Sequence, residues 1–249
     1  MSTASRLMMS ALSLLALVLV WQVAAWWAAS PLLPGPAAVL AAMMRAAEGG
    51  ALQRNIAITL ARVAASFVIA MLLGSAIGIA LGRSPRLNEL FGPWVIVLLN
   101  LPALVIIILC YVWFGLTEAA AITAVSINKI PNVAVTMREG AAALSRDLDE
   151  MARVYRLGRW KLLRHVTLPQ LVPFFTASAR SGLALTWKIV LVVELLGRSN
   201  GVGFELQTAF QMFDVALVLA YALAFTAVVQ LIEIGLLQPW ERRVNRWRR

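Results

Sequence analysis

The sequence has few of the residues on which most soluble enzymes depend. Its 249 residues include one cysteine and one histidine, and charged residues make up only 14%. A single cysteine, Cys110, forms neither an intrachain disulfide nor a cysteine zinc cluster. The patterns GxxxxGK[ST], HExxH and CxxC are all missing. With His165 interpreted as an ordinary interfacial residue, the sequence predicts no catalytic residue and no metal site.

Apolar residues are abundant instead. They make up 61% of the chain, and the mean hydropathy is +0.81, which is far above the balance of a soluble domain. The chain is therefore predicted to be an integral membrane protein in contact with lipid. The net charge of +10 does not indicate nucleic-acid binding, because the basic residues lie beside apolar runs rather than on a soluble face.

The apolar runs predict an all-α fold, a polytopic bundle of about six transmembrane helices in a single domain that covers residues 1–249. Each run is about long enough to cross a bilayer, and the first is longer than the apolar core of a secretory signal, so we expect it to be retained. The predicted spans are 7–29, 56–81, 94–113, 119–135, 174–196 and 215–237.

Two of these spans carry features that affect helix packing. Gly74, Gly78 and Gly82 follow one another at four-residue spacing in and just after the second span, which predicts the close approach of another helix. The third span is interrupted by Asn100 and Pro102. Broken helices at membrane depth are tolerated where they face protein or water.

Several polar residues lie at or near membrane depth and are candidates for a solute pathway: Asn100, Asn128, Lys129, Lys188 and Glu194. A charge at a helix centre costs about 2.5–3.5 kcal/mol and usually faces the bundle interior or a wet cavity. A structural ion pair, or a side chain that reaches the interface, is the alternative. Lys188 and Glu194 are six residues apart, so they point to different faces of their helix.

A basic loop, about residues 138–169, separates the fourth and fifth predicted spans. Ser145 and Asp147 are candidate N-caps, and the residues that follow form one apolar helix face at helical spacing; they are Leu148, Met151, Ala152 and Tyr155. Gly158 is predicted to end this helix with a positive φ. A second short helix is predicted before Pro169, where a new long helix begins.

This loop resembles a known family, the permease subunits of binding-protein-dependent ABC importers. The family signature is Glu-Ala-Ala, three residues, Gly, nine residues, Ile-x-Leu-Pro. Its matching positions here are Glu150, Met151, Ala152, Val166, Leu168 and Pro169. Arg156 stands where the signature has glycine, with Gly158 two residues later, which predicts a turn that is either displaced to Gly158 or differently built. The runs Leu99–Gly115 and Lys188–Gly203 resemble the nitrate, sulfonate and taurine group, and the likeness extends from about Asn55 onward.

The resemblance implies a function and a set of partners. A separate ATP-binding cassette subunit would bind ATP, so no cofactor is expected in this chain, which is not itself an enzyme. An extracytoplasmic solute-binding protein and a second permease copy complete the expected complex, and the solute would be a small organic or inorganic anion. The residues expected to couple to the ATPase are Leu148, Glu150, Met151, Ala152, Tyr155, Gly158, Leu168 and Pro169. Glu150 also suits the helix dipole on its own.

Other functional classes stay open on the residues alone. A self-contained channel or secondary transporter is one, although no inverted repeat of broken spans is visible. A membrane-embedded enzyme is another, although it has no catalytic constellation to support it. Because most arginines lie in the 138–169 loop, the 82–93 loop and the C-terminal tail, the sequence predicts an inner-membrane protein with both termini and this loop in the cytoplasm.

Overall fold

The chain folds into α-helices joined by short turns. The structure, a computed structural model, describes residues 3–145, 147, 150–151 and 154–239, and strands are missing from these residues, in agreement with the predicted all-α class. The helices are α1 (Thr3–Ala28), α2 (Pro36–Glu48), α3 (Ala51–Arg83), α4 (Pro85–Asn100), α5 (Ala103–Phe114), α6 (Glu118–Ala142), α7 (Arg159–Leu162), α8 (Leu168–Gly197), α9 (Val202–Gln211) and α10 (Val215–Ile232). Segments of π-helix, Leu163–Thr167 and Glu233–Leu237, follow α7 and α10.

The centre of the bundle is a group of three helices, α3, α6 and α8, in which α6 packs against both of the others. Gly78 and Gly82 lie on the face of α3 that meets α6. A Cβ atom added to either glycine would lie 2.7 Å from the Cβ of Met137 or Ala141, respectively, which is closer than side chains approach. Gly74 meets α6 in the same way one turn earlier. The small residues therefore set the distance between the two backbones.

The three central helices have two distinct ends. At one end, which we call the loop end, residues 143–167 connect α6 to α8, and Gly82 lies beside Arg138 and Ala141. At the opposite end, which we call the far end, α6 begins at Glu118 and α8 ends at Gly197. These ends position the two candidate sites described below.

The third predicted span is not one straight helix. α4 and α5 are bent by 95° with respect to each other, and the break falls between Asn100 and Ala103. Asn100 is exposed, and its side-chain amide donates to the carbonyl of Ile96 at 2.7 Å. Pro102 has no N–H with which to continue the helix. The interruption predicted at these residues thus takes the form of a sharp bend.

Three helical segments of the described chain are long and apolar enough to cross a membrane by themselves: Ala11–Ala28, Ala51–Arg83 and Val215–Gly235. The bent pair of α4 and α5 passes the same test as one unit. α6 and α8, with 25 and 30 residues, are long enough at about 1.5 Å per residue, but their polar and charged residues lower their hydropathy. The count of six spans and their boundaries stay a prediction.

The turn in the basic loop lies at Arg156 and not at Gly158, so the predicted displacement of the turn is wrong. Arg156 has φ +48°, whereas Gly158 is absent from the positive-φ residues. The N–H of Tyr155 still donates to the carbonyl of Met151 at 3.0 Å, so the helical turn ends at Tyr155 and the reversal falls on the next residue. The turn therefore occupies the position at which the family signature has glycine.

The second half of the loop is also different from the prediction. α7 continues through the π-helical segment Leu163–Thr167 directly into α8, so no break precedes the long helix. The N–H of Leu168 donates to the carbonyl of Leu163, five residues back. The next residue, Pro169, has no N–H, and its ring would clash with the carbonyl four residues earlier in a regular α-helix. The wider turn accommodates this proline.

Candidate functional site

A cavity lies between α8 and α10. Its volume is about 670 Å³, and its polar lining comes from both helices. The residues that give it this character are Arg180, Ser181, Lys188, Gln230 and Glu233. Apolar side chains, with Trp187 and Phe225 edge-to-face at 6.0 Å, form the rest of the wall.

Lys188 is the candidate pathway residue that the structure places at this cavity. Its side chain is exposed and lines the cavity together with Arg180. Glu194, six residues later on α8, is fully buried and does not line the cavity, which agrees with the different faces expected from their spacing. The two residues therefore belong to different sites.

Lys129 and Asn128 lie on α6 behind this cavity. Lys129 is 2% exposed, and a Cβ atom added to Gly182 of α8 would lie 2.8 Å from its Cε. Among the described residues, none forms an ion pair with Lys129. Asn128 is half-buried. Neither residue lines the cavity, and Asn100 lies at the bend between α4 and α5.

The residues predicted to couple to an ATPase lie at the loop end. Those that the structure describes are exposed, with Tyr155 at 73% and Leu168 at 45%. Glu150 and Met151 are exposed as well. Leu148 and Ala152 lie outside the described residues. The described apolar residues of the predicted apolar helix face, Met151 and Tyr155, are exposed, so they are available to a partner.

A second group of polar residues lies at the far end, and Arg62 is at its centre. Arg62 is 4% exposed. Its Nε and Nη2 atoms donate to Glu118 at 2.8 and 2.6 Å, and its Nη1 donates to Glu194 at 2.7 Å. Nη1 also donates to the carbonyl of Asn200 at 2.9 Å, and Nη2 donates to the Asn200 side chain. All five guanidinium donors thus have acceptors.

Glu194 is completely buried and has three donors. Beside Arg62, its Oε2 atom accepts from the hydroxyl of Thr59 and from the backbone N–H of Gly203, each at 2.9 Å. Buried carboxylates are stable when they are both paired with a cation and hydrogen-bonded. Glu194 has both kinds of partner, and they come from α3 and from the start of α9.

The first N–H groups of α9 are all bonded by side chains. The N–H of Gly201 donates to Asn55 Oδ1, and the N–H of Val202 donates to the hydroxyl of Thr59, both at 2.9 Å. The N–H of Gly203 donates to Glu194 Oε2, so three consecutive N–H groups have side-chain acceptors. Gly201 has φ +102°, a conformation that side chains rarely adopt. The connection between α8 and α9 is thereby fixed against α3.

A further pair completes this group at its surface. Glu118 is 50% exposed, and its Oε1 atom accepts from Arg198 Nη2 at 2.6 Å as well as from Arg62. Arg198 Nη1 donates to the carbonyl of Leu116. The two arginines and two glutamates balance in charge. We call Arg62, Glu118, Glu194, Arg198 and Asn200 the far-end cluster.

Comparison with known proteins accounts for this arrangement of helices. The model of a family described as the inner membrane component of binding-protein-dependent transport systems matches residues 70–237. The chain belongs to this family. The match includes the loop between α6 and α8 and the small-residue face of α3, and it confirms the resemblance stated from the loop signature.

Several named relatives match most of this chain. It is 28% identical to the taurine transport permease TauC of Escherichia coli over 91% of this chain and 84% of that protein. It is 29% identical to the aliphatic sulfonate permease SsuC of the same organism, over 93% and 88%. The bicarbonate permease CmpB of Synechococcus elongatus is 28% identical over 73% and 66%.

Solved structures share the fold. An inward-facing structure of the MetNI methionine ABC transporter matches with a TM-score of 0.68 at 18% identity, over 80% of this chain and 98% of that one. An amino acid ABC transporter matches with a TM-score of 0.63 at 20% identity, over 80% and 97%. Family, relatives and fold agree that this transport component is the permease subunit of an ABC importer.

Sequence analysis missed most of the far-end cluster. Glu194 was predicted as a candidate pathway residue, whereas Arg62, Glu118, Arg198 and Asn200 were not predicted as site residues. One signal was available, because Arg62 lies inside an apolar span, where a cation requires a partner. The partner, Glu194, is more than 130 residues away along the chain, and spacing on one helix does not reveal such a pair.

Proposed function

We propose that this permease moves a small solute with an anionic group, such as a sulfonate, taurine or nitrate, across the inner membrane. The observation that carries the proposal is the position of Lys188, exposed over the cavity between α8 and α10. A lysine in an apolar span is tolerated at a wet cavity. In such a cavity it attracts an anion more strongly than it would in bulk water.

The names of the relatives support the same class of solute. TauC, SsuC and CmpB are named for taurine, aliphatic sulfonates and bicarbonate, and each of these compounds carries an anionic group. Arg180 adds a second cation to the cavity. The proposal assigns Lys188 to the solute pathway and leaves Asn100, Asn128 and Lys129 in supporting positions on neighbouring helices.

Energy for transport would come from a separate ATPase that docks at the loop end. The exposed residues Glu150, Met151 and Tyr155 offer it an acidic group beside apolar side chains. α7 continues into α8 without a break, so a displacement of the docked loop reaches the helix that carries Lys188. ATP is bound by that partner, and the permease performs no chemistry itself.

The remaining partners are a solute-binding protein and a second permease copy. A cavity with Arg180, Lys188 and Glu233 in its wall cannot face lipid hydrocarbon without cost, and a second copy set against α8 and α10 would enclose it. The basic loop end would face the cytoplasm, as the distribution of arginine predicts. The far end would then face the binding protein.

The test is uptake into proteoliposomes that contain the permease, its ATPase and its binding protein. With a radiolabelled short-chain sulfonate as the probe, we expect accumulation that requires ATP and all three components. Uptake by the permease alone would indicate a channel or secondary transporter and would overturn the proposal.

Glu150→Lys tests the docking surface in the same system. Reversal of this charge should reduce ATPase binding, or the solute moved per ATP, by about tenfold or more, while the permease still inserts into the membrane. Glu48→Lys, the same charge reversal at an exposed position at the end of α2, is the matched control and should behave as the parent does. A Glu150→Lys complex that assembles and transports normally would remove Glu150 from the docking site.

A further inference from the structure

The far-end cluster bonds together the same three helices that pack at the loop end. Arg62 belongs to α3, Glu118 begins α6 and Glu194 lies in the last turn of α8. The cluster therefore joins α3 to α6 through Arg62–Glu118 and α3 to α8 through Arg62–Glu194. The pair of Arg198 and Glu118 joins the connection after α8 to α6, so the three links form a closed set.

The same helices are held along the rest of their length by close packing. α3 meets α6 through its glycine face at the loop end, and Ser126 of α6 donates to the carbonyl of Ser66 at 3.4 Å near the middle. α6 meets α8 where Gly140 lies against the ring of Phe174. Packed interiors of this kind resist deformation.

Bonds at one end and close packing at the other make the three helices difficult to displace separately. The loop between α6 and α8 lies at one end of this group, and the connection 198–201 lies at the other. We infer that the far-end cluster makes α3, α6 and α8 move as one body, so that movement of the docking loop reaches the connection 198–201. The inference rests on the proposed function for the direction of coupling.

Arg62 is accordingly a positioning residue and not a solute-binding one. It is buried, and all its donors are used within the cluster. A buried charge network can serve only to hold the fold together, and this is the alternative that the experiment must distinguish. Loss of a purely structural network would reduce assembly and stability. Loss of a coupling network would reduce the movement of the far end that follows ATP binding by the ATPase.

The experiment measures movement at the far end directly. A fluorophore is attached to Ser199→Cys, an exposed position in the connection, after Cys110 is replaced by alanine. The labelled permease is assembled with its ATPase, and the change in fluorescence on ATP binding is recorded together with the rate of ATP hydrolysis. This readout needs no knowledge of the solute.

Glu118→Gln is the principal variant, because the buried Arg62 keeps Glu194 as its counter-ion when the half-exposed Glu118 loses its charge. Glu194→Gln is the second variant. We expect both complexes to hydrolyse ATP within about twofold of the parent rate, with an ATP-dependent fluorescence change at least about threefold smaller. Asp214→Asn, an N-cap at the same end whose carboxylate accepts from the N–H of Leu217 at 2.9 Å, is the control and should keep the full change.

The possible results separate the two proposals. A full fluorescence change in Glu118→Gln, or failure of that variant to assemble, overturns the inference. If Glu194→Gln does not assemble, the result for Glu118→Gln alone decides. A parent complex with no ATP-dependent change at position 199 also overturns it. A parent that shows the fluorescence change but takes up no sulfonate contradicts the proposed solute and leaves the coupling inference intact.

Discussion

At the scale of single residues, the charged side chains at membrane depth differ in how they are compensated. Arg62 and Glu194 form a buried ion pair at 2.7 Å. Lys129 is buried with no ion-pair partner among the described residues. Lys188 is exposed at a cavity. A cation exposed at a cavity can meet a solute, so these surroundings favour Lys188 for transport, whereas the buried pair is placed to hold α3 and α8 together.

Replacement of Lys188 tests this assignment. Two unit charges 4 Å apart interact by about 4 kcal/mol at an effective dielectric constant of 20, and loss of about 1.4 kcal/mol is a tenfold change in rate. We expect Lys188→Met to lower the uptake of a sulfonate at least about tenfold while the complex still assembles. The measurement is the initial rate of uptake in proteoliposomes.

Lys188→Arg is the matched control for charge, and it should transport within a few-fold of the parent. If Lys188→Met assembles and transports at the parent rate, Lys188 is only a structural residue. If both variants lose transport equally, the shape of the lysine is important and its charge is not, which would contradict the electrostatic argument.

Residue-scale features were only partly predictable from the sequence. The separation of Lys188 and Glu194 onto different faces follows from the helical repeat alone. The Arg62–Glu194 pair does not, because it depends on how α3 and α8 pack. Burial of Lys129 against Gly182 likewise depends on a helix that is distant in sequence. Helical periodicity predicts which face of a helix a residue occupies. It does not predict which residues of a neighbouring helix pack against that face.

At the scale of elements, the turn at Arg156 shows where sequence reasoning failed. Glycine at position 158 suggested the turn because glycine adopts positive φ at little cost. Tyr155 still belongs to the preceding helical turn, however, and the reversal lies at Arg156, which has φ +48°. A non-glycine residue in this region costs about 1–2 kcal/mol. The presence of a glycine is therefore weak evidence for the position of this turn.

Substitutions at the turn follow from this conformation. We expect Arg156→Gly to bind the ATPase as tightly as the parent or up to about tenfold more tightly, because the strain is removed. Arg156→Val should bind at least several-fold more weakly, since a β-branched residue disfavours positive φ most. The measurement is the affinity of the purified permease for the ATPase subunit.

Gly158→Ala is the control for this turn. Nothing lies within 4 Å of a Cβ atom added at position 158, so alanine should leave the affinity unchanged. A loss of affinity in Gly158→Ala combined with a tolerant Arg156→Val would place the essential turn at position 158 after all.

At the scale of the whole molecule, composition and apolar runs were sufficient to predict a helical membrane bundle. The family signature in one loop then identified the type of transporter. What could not be predicted is how the third apolar run divides, because Asn100 and Pro102 interrupt a helix without specifying the 95° bend that follows. The far-end cluster could not be predicted from the sequence either, because it forms only when three separate helices meet.

Orientation is the whole-molecule property that charge alone predicts, and it decides which end meets the ATPase. Arginine crosses the membrane at high cost, so the basic loop end should stay in the cytoplasm. We test it with single cysteines at the two ends, Ser145→Cys and Gln211→Cys, in a background with Cys110→Ala. The native Cys110 is 2% exposed, and its removal leaves one reactive thiol in each variant.

An impermeant thiol reagent applied to intact cells should modify the cysteine at position 211 and leave the one at position 145 unmodified. After permeabilisation, both positions should react, which shows that the cysteine at position 145 is accessible. Modification at position 145 in intact cells would reverse the assignment of the ends. The docking loop would then face away from cytoplasmic ATP, and an ATPase bound at Glu150 and Tyr155 could not drive transport.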